Sequence, residues 1–339
     1  MQPRDCRPQC TLEGEKHTPE YEGHRPQQIE RMGAPAHGGC TTTLTGIGKY
    51  KEEVSMLTGI GSVVMQVAEF AACRTLYGTD LGLVEIGCGV GADGHQVCMF
   101  AVGSSILEIH EKPSRTNAGN SHPESASVGH FALLVASIDE AYAMLRERNV
   151  LGTRTPVVQP LDHSYMQRSL LQFDDPNGFV VQISEVVDPR DHVQERRAAK
   201  IAFGASDSPR ELFQGFCHFH MPSMDIHASR EFYGQKLGLE EISHRIVPDS
   251  GAEESVFAVG CTDLEIWMNP DVRTLQPSTV SRLGFWTDDV DYAYQVLKDR
   301  GVALDTLTTE SAPSPHIRRR AFTFRDPEGR SLQIAQRIA

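Results

Sequence analysis

Apolar and polar residues alternate over short runs, then return every three or four positions, and this order of rhythms recurs four times along the chain. SVVMQV, from Ser62, alternates as a strand does, and AEFAACRTLYGTDLG carries apolar residues at helical spacing until Gly82 ends it. LVEIGC, QVCMFAV and SILEIHE follow as three strands. The second cycle is GHFALLVAS, the helix IDEAYAMLRERNV, then TPVVQP, QRSLLQFD and GFVVQIS; the third is CHFHMPS, the helix IHASREFYGQKLG and strands near 241–247, 254–259 and 262–268. RLGFWTDD, the helix DYAYQVLKDRGV and strands ending in AFTFRD and RSLQIAQ complete a fourth. The pattern predicts four βαβββ units in an α+β fold.

The text is also doubled. LYGTDLGL at 76–83 returns as FYGQKLGL at 232–239, and DPNGFVVQI at 175–183 returns as DPEGRSLQI at 326–334, offset by 156 and 151 residues. Two blocks recurring in one order at nearly one separation mark a duplicated domain. Each Asp-Pro-x-Gly reads as a hairpin turn, Pro fixing φ at the second position and Gly accepting positive φ at the fourth. The expected division is a disordered tail over 1–55, a first domain over 56–188, a linker over 189–212 with a short helix near 191–200, and a second domain over 213–339. Met56 opens the first strand segment directly, which admits a start there.

A chain of 339 residues suffices for two cores, and its formal net charge of −13 argues against nucleic acid as a partner. The run Arg318, Arg319, Arg320 reads as a solvated strand or loop edge. No apolar stretch has the length of a membrane span and no leader pattern is visible, so the expectation is a cytoplasmic protein, monomer or homodimer, with a small-molecule ligand. Eight irregularly spaced cysteines read as reduced thiols. Cys6, Cys10 and Cys40 lie near His17, His24 and His37, but the spacing matches no closed zinc motif.

FYGQKLGL, LYGTDLGL and the two DPxGxxxQI strands resemble the vicinal oxygen chelate superfamily, which includes glyoxalase I, extradiol dioxygenases, and fosfomycin- and bleomycin-resistance proteins. The resemblance covers about 58–188 and 214–338. It implies two cupped eight-stranded mixed sheets, one per domain, each joining two consecutive units. It also implies a divalent metal (Zn, Fe, Mn or Ni) held by the first and fourth strands of the joined units. Carried over by position, the ligand positions are Ser62, Glu108, His130 and Gln182 in the first domain, and His218, Glu265, Arg282 and Gln333 in the second.

Strand alternation supports these assignments independently. With Phe131, Leu133 and Val135 under the helices, His130 and Ala132 face the cup, and the same parity puts Glu108, His110 and Gln182 there. In the first cup Glu108, His130 and Gln182 then form an incomplete metal set, or Glu108 and His130 form a polar pair lining a ligand pocket. Ser62 stands where another ligand would. In the second cup a protonated guanidinium at Arg282 repels a cation and pairs more naturally with Glu265. His218, His220, Glu265, Trp267, Arg282, Trp286 and Gln333 then read as an aromatic-lined substrate or ligand pocket, or as a degenerate duplicate. Cys217, adjacent to His218, points the other way and reads as core. Tyr77 and Tyr233 read as packing anchors.

Three functional readings follow. The first is a metal-dependent, glyoxalase-like lyase or isomerase acting on a small oxygenated substrate, with Glu108 or His110 moving the proton. The second is a metal-free binding or resistance protein of the bleomycin-resistance type, and the third a metal-free isomerase or cyclase. Extradiol cleavage needs two His and one carboxylate on iron. Neither cup so composed holds that set, which disfavours a dioxygenase unless ligands come from Gln66, His110 or His163.

Overall fold

The computed structural model describes residues 56–91, 93–112, 128–152, 154–159, 166–188, 212–247, 250–311 and 318–338. The expected tail, most of the linker with its helix, His163 and the Cys and His residues near the N-terminus lie outside them. The sheets belong to one compact unit, Glu53–Ala339.

All four units form. The first comprises β1 (Gly59–Val67), helix α1 (Phe70–Arg74, continuing as a π-helical turn over Thr75–Asp80), β2 (Val84–Val90), β3 (Gln96–Val102) and β4 (Ser105–Glu111). The second comprises β5 (His130–Val135), α2 (Ile138–Glu147), β6 (Val157–Gln159), β7 (Gln167–Asp174) and β8 (Val180–Asp188). The third comprises β9 (Phe213–Pro222), α3 (Ile226–Arg230, with a π-helical turn over Glu231–Lys236), β10 (Glu240–Ile246), β11 (Glu253–Val259) and β12 (Thr262–Met268). The fourth comprises β13 (Val280–Trp286), α4 (Val290–Asp299), β14 (Thr308–Ser311), β15 (Arg318–Arg325) and β16 (Ser331–Ile338). No helix among the described residues is long and apolar enough to cross a membrane.

Two eight-stranded mixed sheets result, but not one per half. One runs β14-β15-β16-β13-β1-β4-β3-β2 and the other β10-β11-β12-β9-β5-β8-β7-β6. The first unit therefore joins the fourth, and the second joins the third. The expectation that consecutive units within each half share a sheet is overturned, because β1 pairs antiparallel with β13 and β5 with β9. What binds a half together is a helix-to-turn contact. Tyr77 donates its hydroxyl to Asp175 of the β7–β8 turn at 3.2 Å, and Tyr233 donates to Asp326 of the β15–β16 turn at 2.8 Å. The two recurring sequence blocks thus touch each other, which explains why they recur together.

The turns do more than reverse the chain. Gly178 and Gly329 take φ of 77° and 79°, as the predicted hairpins require. Asn177 Oδ1 accepts from the backbone N–H of Ala68 and Glu69, and Glu328 Oε1 accepts from those of Met224 and Asp225, so the third turn residue caps the entry to a helix of the other unit. Elsewhere the caps are local: Ser137 accepts from Glu140 N–H and Asp289 from Tyr292 N–H.

Strand parity holds. Phe131, Leu133, Val135, Leu107, Ile109, Val181 and Ile183 join the main core with helix residues such as Leu145 and Leu297. Ile106, Met99, Val97, Trp286, Ala321 and Ala335 form a separate apolar floor on the concave face of the first sheet, and Ala132, Leu134 and Cys217 a smaller one in the second. Two expectations about cysteine fail, and the first is Cys217: the β9 register shift turns it onto the concave face with Ala132 and Leu134 and not into the main core. Cys88 and Cys98 stand opposite each other in the β2–β3 register and are joined as a disulfide. Cys73 stays a buried thiol, pushed up to about 12 by burial and by Asp175.

Candidate functional site

Because the units pair across the halves, the site residues regroup. The concave face of the β1 and β13 sheet carries Ser62, Glu108, Arg282 and Gln333, whereas the β5 and β9 sheet carries His130, Gln182, His218 and Glu265. Glu108 is therefore not in one cup with His130 and Gln182. Nor are Arg282, Trp286 and Gln333 in one cup with His218, His220, Glu265 and Trp267.

Register builds the second cup. On the central antiparallel pair His130 stands opposite His220 and Ala132 opposite His218, while parallel pairing sets Glu265 beside His220 and Gln182 beside Ala132. The β5–β9 register shifts past Cys217, a bulge immediately before His218 that keeps Phe216 and Phe219 in the core while aiming the imidazole into the cup. The nitrogen atoms His130 Nε2 and His218 Nε2 are 3.2 Å apart, and Glu265 Oε1 is 3.9 Å from His218 Nδ1. Gln182 is turned toward β7, donating to Gln172 Oε1 at 3.2 Å. His218, Glu265 and Gln182 are buried; His130, His220 and Trp267 are half-buried at the mouth. There the His130 and His220 rings stack at 4.8 Å and 6°, and Trp267 lies 6.1 Å from His220. Burial pushes His130 well below the usual imidazole range, the neighbouring His218, His220 and Arg168 adding to the effect against Glu265. Burial lowers His220 too.

Two arginines and a glutamate escaped sequence reasoning. Arg168 of β7 is 3% exposed, and its Nη1 donates to Glu265 Oε1 at 2.6 Å and to His218 Nδ1 at 2.8 Å. Glu265 thus pairs with Arg168 and not, as expected, with Arg282. Glu254 of β11, buried and paired with Arg245, brings a second carboxyl whose pKa is raised by burial and by the charge of Glu265. The third is Arg319 in the other cup. A signal was present: Arg168 and Arg319 are 151 residues apart, the same offset as the turn block that follows each of them.

In the first cup Arg319, 4% exposed, donates to both Glu108 oxygens at 2.6 and 3.3 Å, so this member of the arginine run is buried and not solvated. His110 Nε2 lies 3.4 Å from Glu108 Oε2. Burial opposes ionisation of Glu108, but the hydrogen bonds from His110 and Arg319 and the charges of Arg319 and Arg282 outweigh it and hold the carboxyl far below its usual range. Glu108 is thereby held as a carboxylate paired with Arg319. Trp286 donates to Ser104 O and lies under the Arg337 guanidinium at 4.6 Å.

The profile of the Glyoxalase/Bleomycin resistance protein/Dioxygenase superfamily matches residues 59–183 and 215–334, more than half of the chain. The chain belongs to this superfamily. Its fold is similar to that of glyoxalase I from Zea mays, at 16% identity and a TM-score of 0.57, covering 82% of this chain and 92% of that one. A putative dioxygenase from Bacillus subtilis subsp. subtilis str. 168 is similar at 14% identity and a TM-score of 0.60, covering 84% and 86%. No curated protein matches the chain.

For the divalent ion that superfamily membership implies, the second cup has the fitting donor types, with Arg168 engaging two of them, His218 and Glu265. Two nitrogens bound at about 2.1 Å to one ion stand roughly 3.0–3.4 Å apart, which brackets the observed 3.2 Å. Two imidazoles, one carboxylate and one amide suit Zn, Fe, Mn or Ni. In the first cup Ser62 and Arg282 replace both imidazoles, and two guanidiniums already act on its single ligand-position carboxylate. That set does not fit a cation.

Proposed function

We propose that the chain is a metal-dependent enzyme whose active site is the second cup, acting on a small organic substrate that presents adjacent oxygen atoms. The observation that carries this reading is the approach of His130 Nε2 and His218 Nε2 to 3.2 Å in a cup that also holds Glu265. His130, His218 and Glu265 would hold the ion, with the Gln182 amide oxygen available as a fourth donor. A divalent ion so held supplies charge that polarises a carbonyl or enolate oxygen.

The protein's own groups then divide the remaining work. Arg168 and Arg245 bring positive charge to the cup wall and offer donors for oxygen atoms of the substrate. His220 and Trp267, their rings tilted 50° to each other, form a half-buried aromatic mouth against which an organic ligand packs and excludes water. Glu254, its pKa raised, suits proton transfer better than Glu265, which is committed to Arg168 and to the ligand set.

Lyase or isomerase chemistry needs only these parts. A second reading is favoured by the ligand set: two His and one carboxylate with open positions are what non-haem iron oxygenases use. The objection that neither cup contains two His rested on the wrong pairing of units, and that pairing no longer stands. The test is metal content of wild type, His218→Ala and Glu108→Gln proteins purified without chelators, followed by oxygen-electrode assays with iron restored. One ion per chain, lost in His218→Ala and kept in Glu108→Gln, supports the reading; oxygen uptake with a diol substrate selects the oxygenase branch. Metal lost in Glu108→Gln and kept in His218→Ala would refute it.

A further inference from the structure

A neutral imidazole has one lone-pair nitrogen, and a guanidinium can only donate. Arg168 Nη1 stands against the His218 imidazole, 2.8 Å from Nδ1 and 3.5 Å from Nε2, and the same Nε2 lies 3.2 Å from His130 Nε2. A guanidinium charge that close to both ring nitrogens repels a divalent ion bound to either. The same Nη1 also takes Glu265 Oε1 at 2.6 Å. One guanidinium nitrogen therefore occupies two of the three donor groups of the triad.

We infer that Arg168 and a divalent ion are alternative occupants of the second cup: the arginine closes the ligand set without metal, and metal entry requires it to withdraw. This rests on the metal site proposed above and deepens it. The first cup shows the arginine state in permanent form. Arg319 holds Glu108 from the position equivalent to Arg168, on β15 instead of β7, and Ser62 and Arg282 stand on the central strands in place of the two imidazoles that would recruit an ion. Exchange of one cation for another keeps the buried carboxylate of Glu265 compensated throughout. It also sets the affinity of the cup, because the ion must displace a permanent charge.

The test is Co2+ and Zn2+ titration of chelator-treated full-length protein. Co2+ absorption gives the ligand environment, and quenching of Trp267 in a Trp286→Phe background, where it is the remaining tryptophan, reports occupancy of this cup. Arg168→Met should bind both ions at least about tenfold more tightly than wild type. Arg168→Lys, which keeps a charge, should fall between them, and Arg319→Met should match wild type. Wild type that binds metal while Arg168→Met binds it equally or more weakly overturns the exchange and makes Arg168 a positioning residue for Glu265, leaving the metal site intact. No binding by wild type, Arg168→Met or Arg168→Lys, each shown folded by circular dichroism, overturns both the exchange and the metal site.

Discussion

The two cups share a frame and differ in what is mounted on it. Each has a glutamate on the fourth strand of one unit, Glu108 or Glu265, clamped by an arginine from the other unit, Arg319 or Arg168, and each has a glutamine, Gln333 or Gln182, on the last strand. Among the ligand positions they part at two on the central strands, where Ser62 and Arg282 in one cup answer to His218 and His130 in the other. The frame is thus a structural ion pair common to both, and the imidazoles alone convert one copy into a ligand set. The difference extends to the backbone. Gly61 sits at the β1 bulge where a Cβ would come 3.1 Å from Trp286, whereas the second cup has Cys217 there against smaller neighbours.

The largest contrast should appear in metal binding. Replacing His218 or His130 by Ala should weaken binding by two orders of magnitude or more, roughly the loss of a first-sphere ligand, whereas Glu108→Gln should leave it unchanged. Isothermal titration of all three decides it, and equal losses would erase the distinction between the cups.

Stability should show the opposite, a likeness. Glu108→Ala and Glu265→Ala each leave a buried guanidinium without its carboxylate and should each cost about 3–5 kcal/mol. Adding Arg319→Ala to the first should return part of that loss. Urea denaturation checks both, and a cost confined to Glu265→Ala would mean that the shared frame is not structural.

Acid separates the cups again. His130 and His220 have folded pKa values below the unfolded value of about 6.5. The unfolded chain therefore binds more protons, and this part of the stability is lost as pH falls below about 6.5. Glu108, whose folded pKa is depressed, contributes stability that is present above the unfolded value of about 4.3 and lost as pH falls through the folded one. With chelator present, the urea midpoint should drop between pH 7.5 and 5.5. The drop should shrink in a His130→Gln, His220→Gln double variant and persist in Glu108→Gln.

Smaller effects probe packing. A Cβ at Gly284 would stand 2.7 Å from Ser62 Oγ, so Gly284→Ala should cost about 1–3 kcal/mol and be relieved by Ser62→Gly. At the equivalent place in the second cup, Ala132 already faces His218. Tyr77→Phe and Tyr233→Phe should each cost about 1 kcal/mol by thermal denaturation. Tyr233→Phe should cost less, because Arg330 still satisfies Asp326 at 2.7 Å.

Most strands and all four helices were legible in the sequence because each unit keeps one apolar face, so that Phe131, Leu133 and Val135 point one way and His130 and Ala132 the other. The partners of β1 and β5 were not legible. Local alternation fixes which face is buried but not which edge meets which, and the contact of Tyr77 with Asp175 binds a half together whether or not its strands pair. Every member of the triad was identified as a cup residue, yet His130 was assigned to one cup and His218 and Glu265 to another. Arg168 was overlooked because an arginine in an alternating strand reads as solvent-facing until its buried acidic partner is known. Cys88 and Cys98 became neighbours only through the β2–β3 register.

Anomalous diffraction at the metal edge, from crystals of the full chain grown with Co2+ or Zn2+, tests the central claim most directly. A single strong peak within about 2.3 Å of His130 Nε2, His218 Nε2 and a Glu265 oxygen is the predicted result. A peak at Glu108, or one bound by His130 without His218, would contradict it.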